Sequence, residues 1–185
     1  MKISISGMPG AGKSTVAKML AANLGLRHYY MGGIRRTIAA GRGMTLEEFN
    51  TLGEKDFSTD KVVDEYQEKL GREEDNFIIE GRTSYFLIPD SFKVFLEVDL
   101  REGAGRIFKE LHESDARNEG SFASEKEMLA SLRRRLASDR KRYMKYYNRD
   151  CFDHANFDLV VDTTKLTPEQ VVGRILEALR RAHVE

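Results

Sequence analysis

The chain has 185 residues, 41% of them hydrophobic, and its 30 Lys and Arg cancel its 30 Asp and Glu. A zero net charge gives no long-range field for nucleic acid or an anionic bilayer, and no stretch approaches the roughly 18 uninterrupted apolar residues of a membrane span, so neither partner is expected. The length suits one α/β domain; a single cysteine, Cys151, with no internal disulfide partner and an N-terminus without a signal-peptide pattern lead to an expected cytoplasmic location, with the oligomeric state left open.

Residues 2–6, Lys-Ile-Ser-Ile-Ser, read as a first strand. Gly7-Met8-Pro9-Gly10-Ala11-Gly12-Lys13-Ser14 follows, matching G-x-x-x-x-G-K-[ST] at every fixed position. From Thr15 onward Val16, Met19, Leu20 and Leu24 repeat with helical spacing, and Gly25 is placed as a C-cap. Strand, glycine loop and helix in that order predict an anion cradle, because small residues let successive N–H groups turn inward at a helix N-terminus. Gly7 through Ser14, with Thr15 beside them, are the expected ATP-binding residues. Lys13 would reach the β- and γ-phosphates, and the Ser14 hydroxyl would ligate Mg²⁺. A glycine turn that binds nothing is the competing reading.

A short strand is expected at 27–30, then about forty residues of helical pattern across 32–71, more than a crossover needs. That stretch predicts a helical insertion standing out from the sheet, with Thr45 and Glu48 as a capping box. The apolar strand 76–80 ends in Glu80-Gly81-Arg82, and a rigidly held guanidinium there suits two phosphate oxygens. Arg82 could instead pair with Glu80 or a neighbouring acid. Glu80 could organise Mg²⁺ through water or orient Arg82.

After a strand at 92–98, a second excursion runs from 101 to about 148. Its polar middle, 112–124, reads as a mobile segment closed by a Ser124–Glu127 cap. Arg135, Asp139 and Arg142 then recur at i, i+4 and i+7, beside an apolar stripe of Leu129, Leu132, Leu136 and Tyr143. Such a row can be held pointing into a cleft, or it can form salt bridges within its own helix. A last strand at 157–161 and a helix capped by Thr167 and Gln170, with Pro168 first, complete the pattern. Five strands separated by helices predict a doubly wound parallel α/β sheet with ligands at the carboxyl ends of its strands. The four histidines have no metal-ligand spacing, and no Ser/His/Asp grouping argues for acyl transfer.

Several of these segments together resemble the short, archaeal-type cytidylate kinases. They are the loop with Lys13-Ser14, the Gly-Leu-x-His stretch before Met31-Gly32-Gly33-Ile34-Arg35-Arg36, residues 42–50, Glu80-Gly81-Arg82, and residues 135–143. The resemblance covers nearly the whole chain in order. It implies a P-loop nucleoside monophosphate kinase fold over 1–185, with a five-stranded parallel sheet, a monophosphate-binding insertion at about 32–71 and a lid at about 106–135. The implied reaction is ATP with CMP or dCMP to ADP with CDP or dCDP, the acceptor being a small nucleotide. It further implies that Arg36 and Arg82 hold the acceptor phosphate, that Arg106 lies by the ATP phosphates, that Arg135 bridges the transferring group, and that Asp139 and Arg142 contact the acceptor. Where the family pattern reads Gly-Asp-Ile-Phe-Arg, this chain has Gly33 for the acid and Arg35 for the aromatic residue. Those departures bear on the acceptor, so a kinase with another monophosphate or a small metabolite as acceptor is the second reading. A nucleotide switch without transfer is the third.

Overall fold

A computed structural model describes residues 1–113 and 122–182. Its centre is one five-stranded sheet of β1 (Lys2–Gly7), β2 (Arg27–Tyr30), β3 (Phe77–Glu80), β4 (Phe92–Glu97) and β5 (Leu159–Asp162), in the order β2-β3-β1-β4-β5. Every pairing is parallel, with Ile5 beside Glu80 on one side and Val94 on the other. The part of a strand that is flanked on both sides and covered on both faces must be free of charge, and residues 3–6 of β1 meet that demand by alternating Ile and Ser, while Lys2 at its start pairs with Asp90. Ile3 and Ile5 enter a core with Val16 and Leu20 of α1 (Lys13–Leu24) and Val171 and Ile175 of α8 (Pro168–Ala182). On the opposite face the buried Ser4 hydroxyl accepts from Ser91 Oγ at 2.8 Å.

Three helices fill the connection from β2 to β3: α2 (Met31–Gly41), α3 (Leu46–Gly53) and α4 (Ser58–Glu73). Met31 of α2 and Val63 and Leu70 of α4 share a second apolar cluster with Phe77 and Ile79. After α5 (Ser84–Leu87) and β4 come α6 (Leu100–Glu113) and the 23-residue α7 (Glu125–Tyr147), which pack through Ile107, Met128 and Leu132. The stretch expected to be mobile falls mostly on 114–121, outside the described residues.

The expected caps form. Thr45 N donates to Glu48 Oε2 at 2.8 Å while Glu48 N donates back to Thr45 Oγ1 at 3.2 Å. Thr167 and Gln170 exchange the same pair of bonds ahead of Pro168. Ser124 Oγ accepts from Glu127 N, but Glu127 reaches Ala123 N, one residue before the cap. Two strands start later than their apolar patterns suggest. Asn76 has φ 59°, a left-handed turn residue that delays β3 to Phe77. A 3-10 turn at His154–Asn156 delays β5 to Leu159. Among the described residues no helix is long and apolar enough to cross a membrane.

Candidate active site

β1 ends at Gly7 with φ 143°, where a Cβ would lie 2.1 Å from Leu96 O, so glycine alone lets Met8 N bond Leu96 O at 2.8 Å. The loop next crosses the start of α6, with a Cβ on Gly10 falling 2.3 Å from Gly103 O and one on Gly103 falling 2.6 Å from Pro9 O. Two glycines on different elements thus make one backbone contact, and Gly103 carries no motif that marks it in the sequence. Lys13 opens α1, and its Nζ donates to Met8 O at 2.7 Å and Gly7 O at 3.2 Å, so the ammonium sits over the loop. Pro9, Gly10, Gly12, Lys13 and Ser14 line a cleft at the carboxyl ends of the strands. Ala11 lies in the core with Met8 packed against it, and Thr15 is exposed.

Ser14 Oγ donates to Glu80 Oε1 at 2.9 Å. Glu80 Oε2 stands 3.5 Å from His28 Nε2 and makes no hydrogen bond with any described residue. The acid therefore faces the phosphate loop, and Arg82 takes a different partner. Arg82 Nε donates to Asp139 Oδ2 at 2.8 Å, Arg82 Nη1 donates to Gly7 O, and the guanidinium lies over the Phe152 ring.

From Asp139 a line of alternating charges runs through the molecule. Asp139 Oδ1 accepts from Arg142 Nη2; Arg142 Nη1 also donates to Asp60; and Asp60 Oδ1 accepts from Arg35 Nη1 at 2.7 Å. Arg142, Asp60 and Asp139 are each no more than 3% exposed. Burial alone would raise the Asp139 carboxyl, but Arg82 and Arg142 beside it hold it below the ordinary carboxylate value. Five side chains from α2, α4, α7 and the turn after β3 are thereby locked together. Spacing alone showed only the α7 members, and one of their bonds, Arg142 to Asp139, is indeed intrahelical.

The remaining expected residues separate by position. Arg36 and Arg135 line the cleft, and Arg36 Nη1 donates to Tyr30 Oη and Gly32 O. Arg106 instead braces the loop from behind, reaching Gly10 O at 3.5 Å, Thr163 O at 3.1 Å and Thr164 O at 3.0 Å. Cys151 is buried, and burial pushes its thiol up to about 12, which leaves no thiolate for nucleophilic chemistry.

A second polar network in the cleft was not legible in the sequence. Asp64 Oδ1 accepts from Thr83 Oγ1 at 2.7 Å and Gln67 Nε2 at 2.9 Å, and Asp64 Oδ2 accepts from Tyr147 Oη. Gln67 Nε2 also bonds Thr83 Oγ1 at 2.8 Å, and Gln67 Oε1 accepts from Ser84 Oγ at 2.6 Å. Burial pushes the Asp64 carboxyl up to about 6 against the Tyr147 and Thr83 bonds. The available signal was on α4: Asp60, Val63, Asp64, Gln67 and Leu70 all lie on its buried face, so acids stand at core positions.

The profile of the cytidylate kinase-like family matches residues 2–165. The cytidylate kinase of Sulfolobus acidocaldarius is 35% identical over 100% of this chain and 97% of the relative. That of Haloquadratum walsbyi is 37% identical over 99% of this chain and 91% of its own length. Among solved structures, the shikimate kinase of Bacteroides thetaiotaomicron aligns with TM-score 0.61 at 17% identity, covering 97% of this chain and 98% of that one. At that identity the likeness establishes the P-loop kinase fold alone.

Proposed function

The chain belongs to the cytidylate kinase-like family, and we propose that it transfers the γ-phosphoryl group of ATP to CMP or dCMP, forming ADP with CDP or dCDP. One observation carries the reading. A phosphate loop and four arginines from three elements, Arg36 of α2, Arg82 after β3, and Arg135 and Arg142 of α7, surround a single cleft. Two polyanions repel each other, and only a cleft with cations on opposing walls brings them into line.

The donor end is built by the loop amides, Lys13 and the N-terminus of α1, aimed at the β- and γ-phosphates. Arg106 holds that end from behind, fixing the loop through the Gly10 carbonyl. Ser14 Oγ with the carboxylate of Glu80 offers hard oxygen donors, and Glu80 Oε2 keeps an unused lone pair, a set that suits Mg²⁺. Ser14 and Glu80 would hold Mg²⁺ there, and it would supply charge neutralisation for the phosphates. Arg36 and Arg82 grip the acceptor phosphate, Arg135 spreads charge over the transferring group, and Arg142 with Asp139 contacts the acceptor. The attacking atom is already a phosphate oxyanion, so the residues of the cleft position and neutralise without a general base. Residues 32–71 form the wall on the acceptor side and 106–135 the covering lid, whose closure keeps water from the γ-phosphate.

Incubation with ATP and a panel of nucleoside monophosphates tests the reading. ADP should form only with an acceptor present, together with an equal amount of cytidine diphosphate. ADP release independent of any monophosphate, or transfer to none of the panel, overturns it.

A further inference from the structure

Arg35 replaces the aromatic residue usual in the family pattern, yet it does not point its charge freely into solvent. Its Nε donates to Asn50 Oδ1 at 2.9 Å, and its Nη1 donates to Thr59 O at 3.1 Å and Asp60 Oδ1 at 2.7 Å. The Phe49 ring lies 4.9 Å beneath the guanidinium. Its third nitrogen, Nη2, is buried and has no hydrogen-bond partner among the described residues, although the residue lines the cleft. A buried donor left unpaired is costly unless a ligand uses it.

Asp64, 7% exposed, lines the same cleft with the opposite surplus. Every donor around it is committed inward. The Thr83 and Tyr147 hydroxyls donate to Asp64, the Gln67 amide donates to Asp64 and Thr83, and the Ser84 hydroxyl donates to Gln67. What this network has left for a ligand is lone pairs on the Asp64 carboxylate and on Thr83 Oγ1. With its carboxyl near 6, Asp64 is mainly ionised at neutral pH and only accepts.

We propose that Asp64 and Arg35 form the base-reading element of the cleft, Asp64 accepting from an exocyclic amino group and Arg35 Nη2 donating to the neighbouring ring nitrogen or carbonyl. This deepens, and rests on, the reading of the cleft as a nucleoside monophosphate site. Cytosine presents a donor at N4 next to an acceptor at N3, which fits the pair. Uracil presents an acceptor at O4 next to a donor at N3, which sets lone pair against carboxylate and N–H against guanidinium. Guanine presents the same reversed pair at its O6–N1 edge. Adenine shares the donor–acceptor edge and is the competitor this pair alone does not exclude. Discrimination by reversed polarity is stronger than discrimination by size, since the wrong base leaves buried groups unpaired.

The test is the ratio of kcat/KM for CMP to that for UMP, with the KM for ATP read alongside. Asp64→Asn turns one acceptor into a donor. The ratio should fall by on the order of ten- to a hundredfold, the cost of one base-edge pair, with the ATP KM unchanged. Arg35→Gln keeps a hydrogen-bonding head without the charge and should lower the same ratio, which preserves the test if the first variant does not fold. Equal losses on CMP and UMP in both variants would make these residues structural and overturn the proposal. A parent protein that uses CMP and UMP alike overturns the base reading while leaving the kinase reading in place. A parent that phosphorylates no nucleoside monophosphate overturns both.

Discussion

Arg82 Nε and Asp139 Oδ2 stand 2.8 Å apart, tying the turn after β3 to the middle of α7. Asp139 also bonds Arg142, which bonds Asp60, which bonds Arg35, so the two carboxylates each hold two guanidiniums. Three cations and two anions leave one positive charge, and the geometry of the acceptor end is set by acids rather than by the arginines that would touch phosphate. Buried ion pairs of this kind add little net stability over apolar packing, but removing one partner strands the other.

Asp60→Ala should therefore be costly. It leaves both Arg142 and Arg35 without their shared carboxylate, at about 3–5 kcal/mol. For a domain of this length that amounts to a fall in Tm on the order of 10 °C. Thermal unfolding checks it, and a shift within about 2 °C would mean the line of charges is not coupled.

Lys13→Ala should leave the fold intact, because the Nζ bonds to the Gly7 and Met8 carbonyls close within the loop itself. Phosphoryl transfer should drop by on the order of 10³-fold or more, as expected for a phosphate-clamping cation. Turnover within tenfold of the parent, in protein with the parent Tm, would remove Lys13 from the chemistry.

Arg82→Ala should lower kcat/KM for the acceptor by about ten- to a hundredfold, the loss of a charged bidentate contact. Its Nη1 also donates to Gly7 O, at the root of the phosphate loop, so a smaller rise in the KM for ATP should accompany it. Separate titrations with CMP and with an ATP analogue decide the order. A larger loss on ATP than on CMP would place Arg82 at the donor end.

The five strands, the phosphate loop and the caps were legible because each depends on residues close in the chain: alternating Ile and Ser in β1, glycines at fixed offsets, Thr45 with Glu48. Pairings across the fold were not. Nothing local indicates that Arg82 takes Asp139, fifty-seven positions away, in preference to the adjacent Glu80. The same holds for Glu80, which turns to Ser14 and His28, and for Asp64, whose partners come from α4, α7 and the turn after β3. The acids on α4 share the helix face of Val63 and Leu70, which marks them in sequence as polar residues at core positions, but the groups that satisfy them lie on other elements.

Gly103→Ala should reverse the usual sign of a helical glycine substitution. Alanine inside a helix normally stabilises by about 1 kcal/mol. Here the added methyl would sit 2.6 Å from Pro9 O, a backbone atom that moves only with the loop. Overpacking of this sort costs roughly 1–3 kcal/mol, and the displaced loop should also raise the KM for ATP. Unchanged or higher Tm together with unchanged ATP affinity would show that the loop does not rest on α6.

Asp64 sets the last prediction, on pH. Its carboxyl stands at about 6 in the folded protein against an ordinary 3.8, so the folded state holds the proton more tightly than the unfolded chain. The stability it contributes is present in full below about 4 and is lost as pH rises through about 6, a span of roughly 3 kcal/mol. Asp139 moves in the opposite sense but is common to the parent and to Asp64→Asn, so it cancels in the difference between them. Denaturant unfolding of the two proteins at pH 4 and pH 7 should show the parent gaining on the variant toward pH 4, by up to that amount. A difference that stays constant across the interval, or that widens toward pH 7 in the parent's favour, would mean that Asp64 is not held against ionisation by its burial.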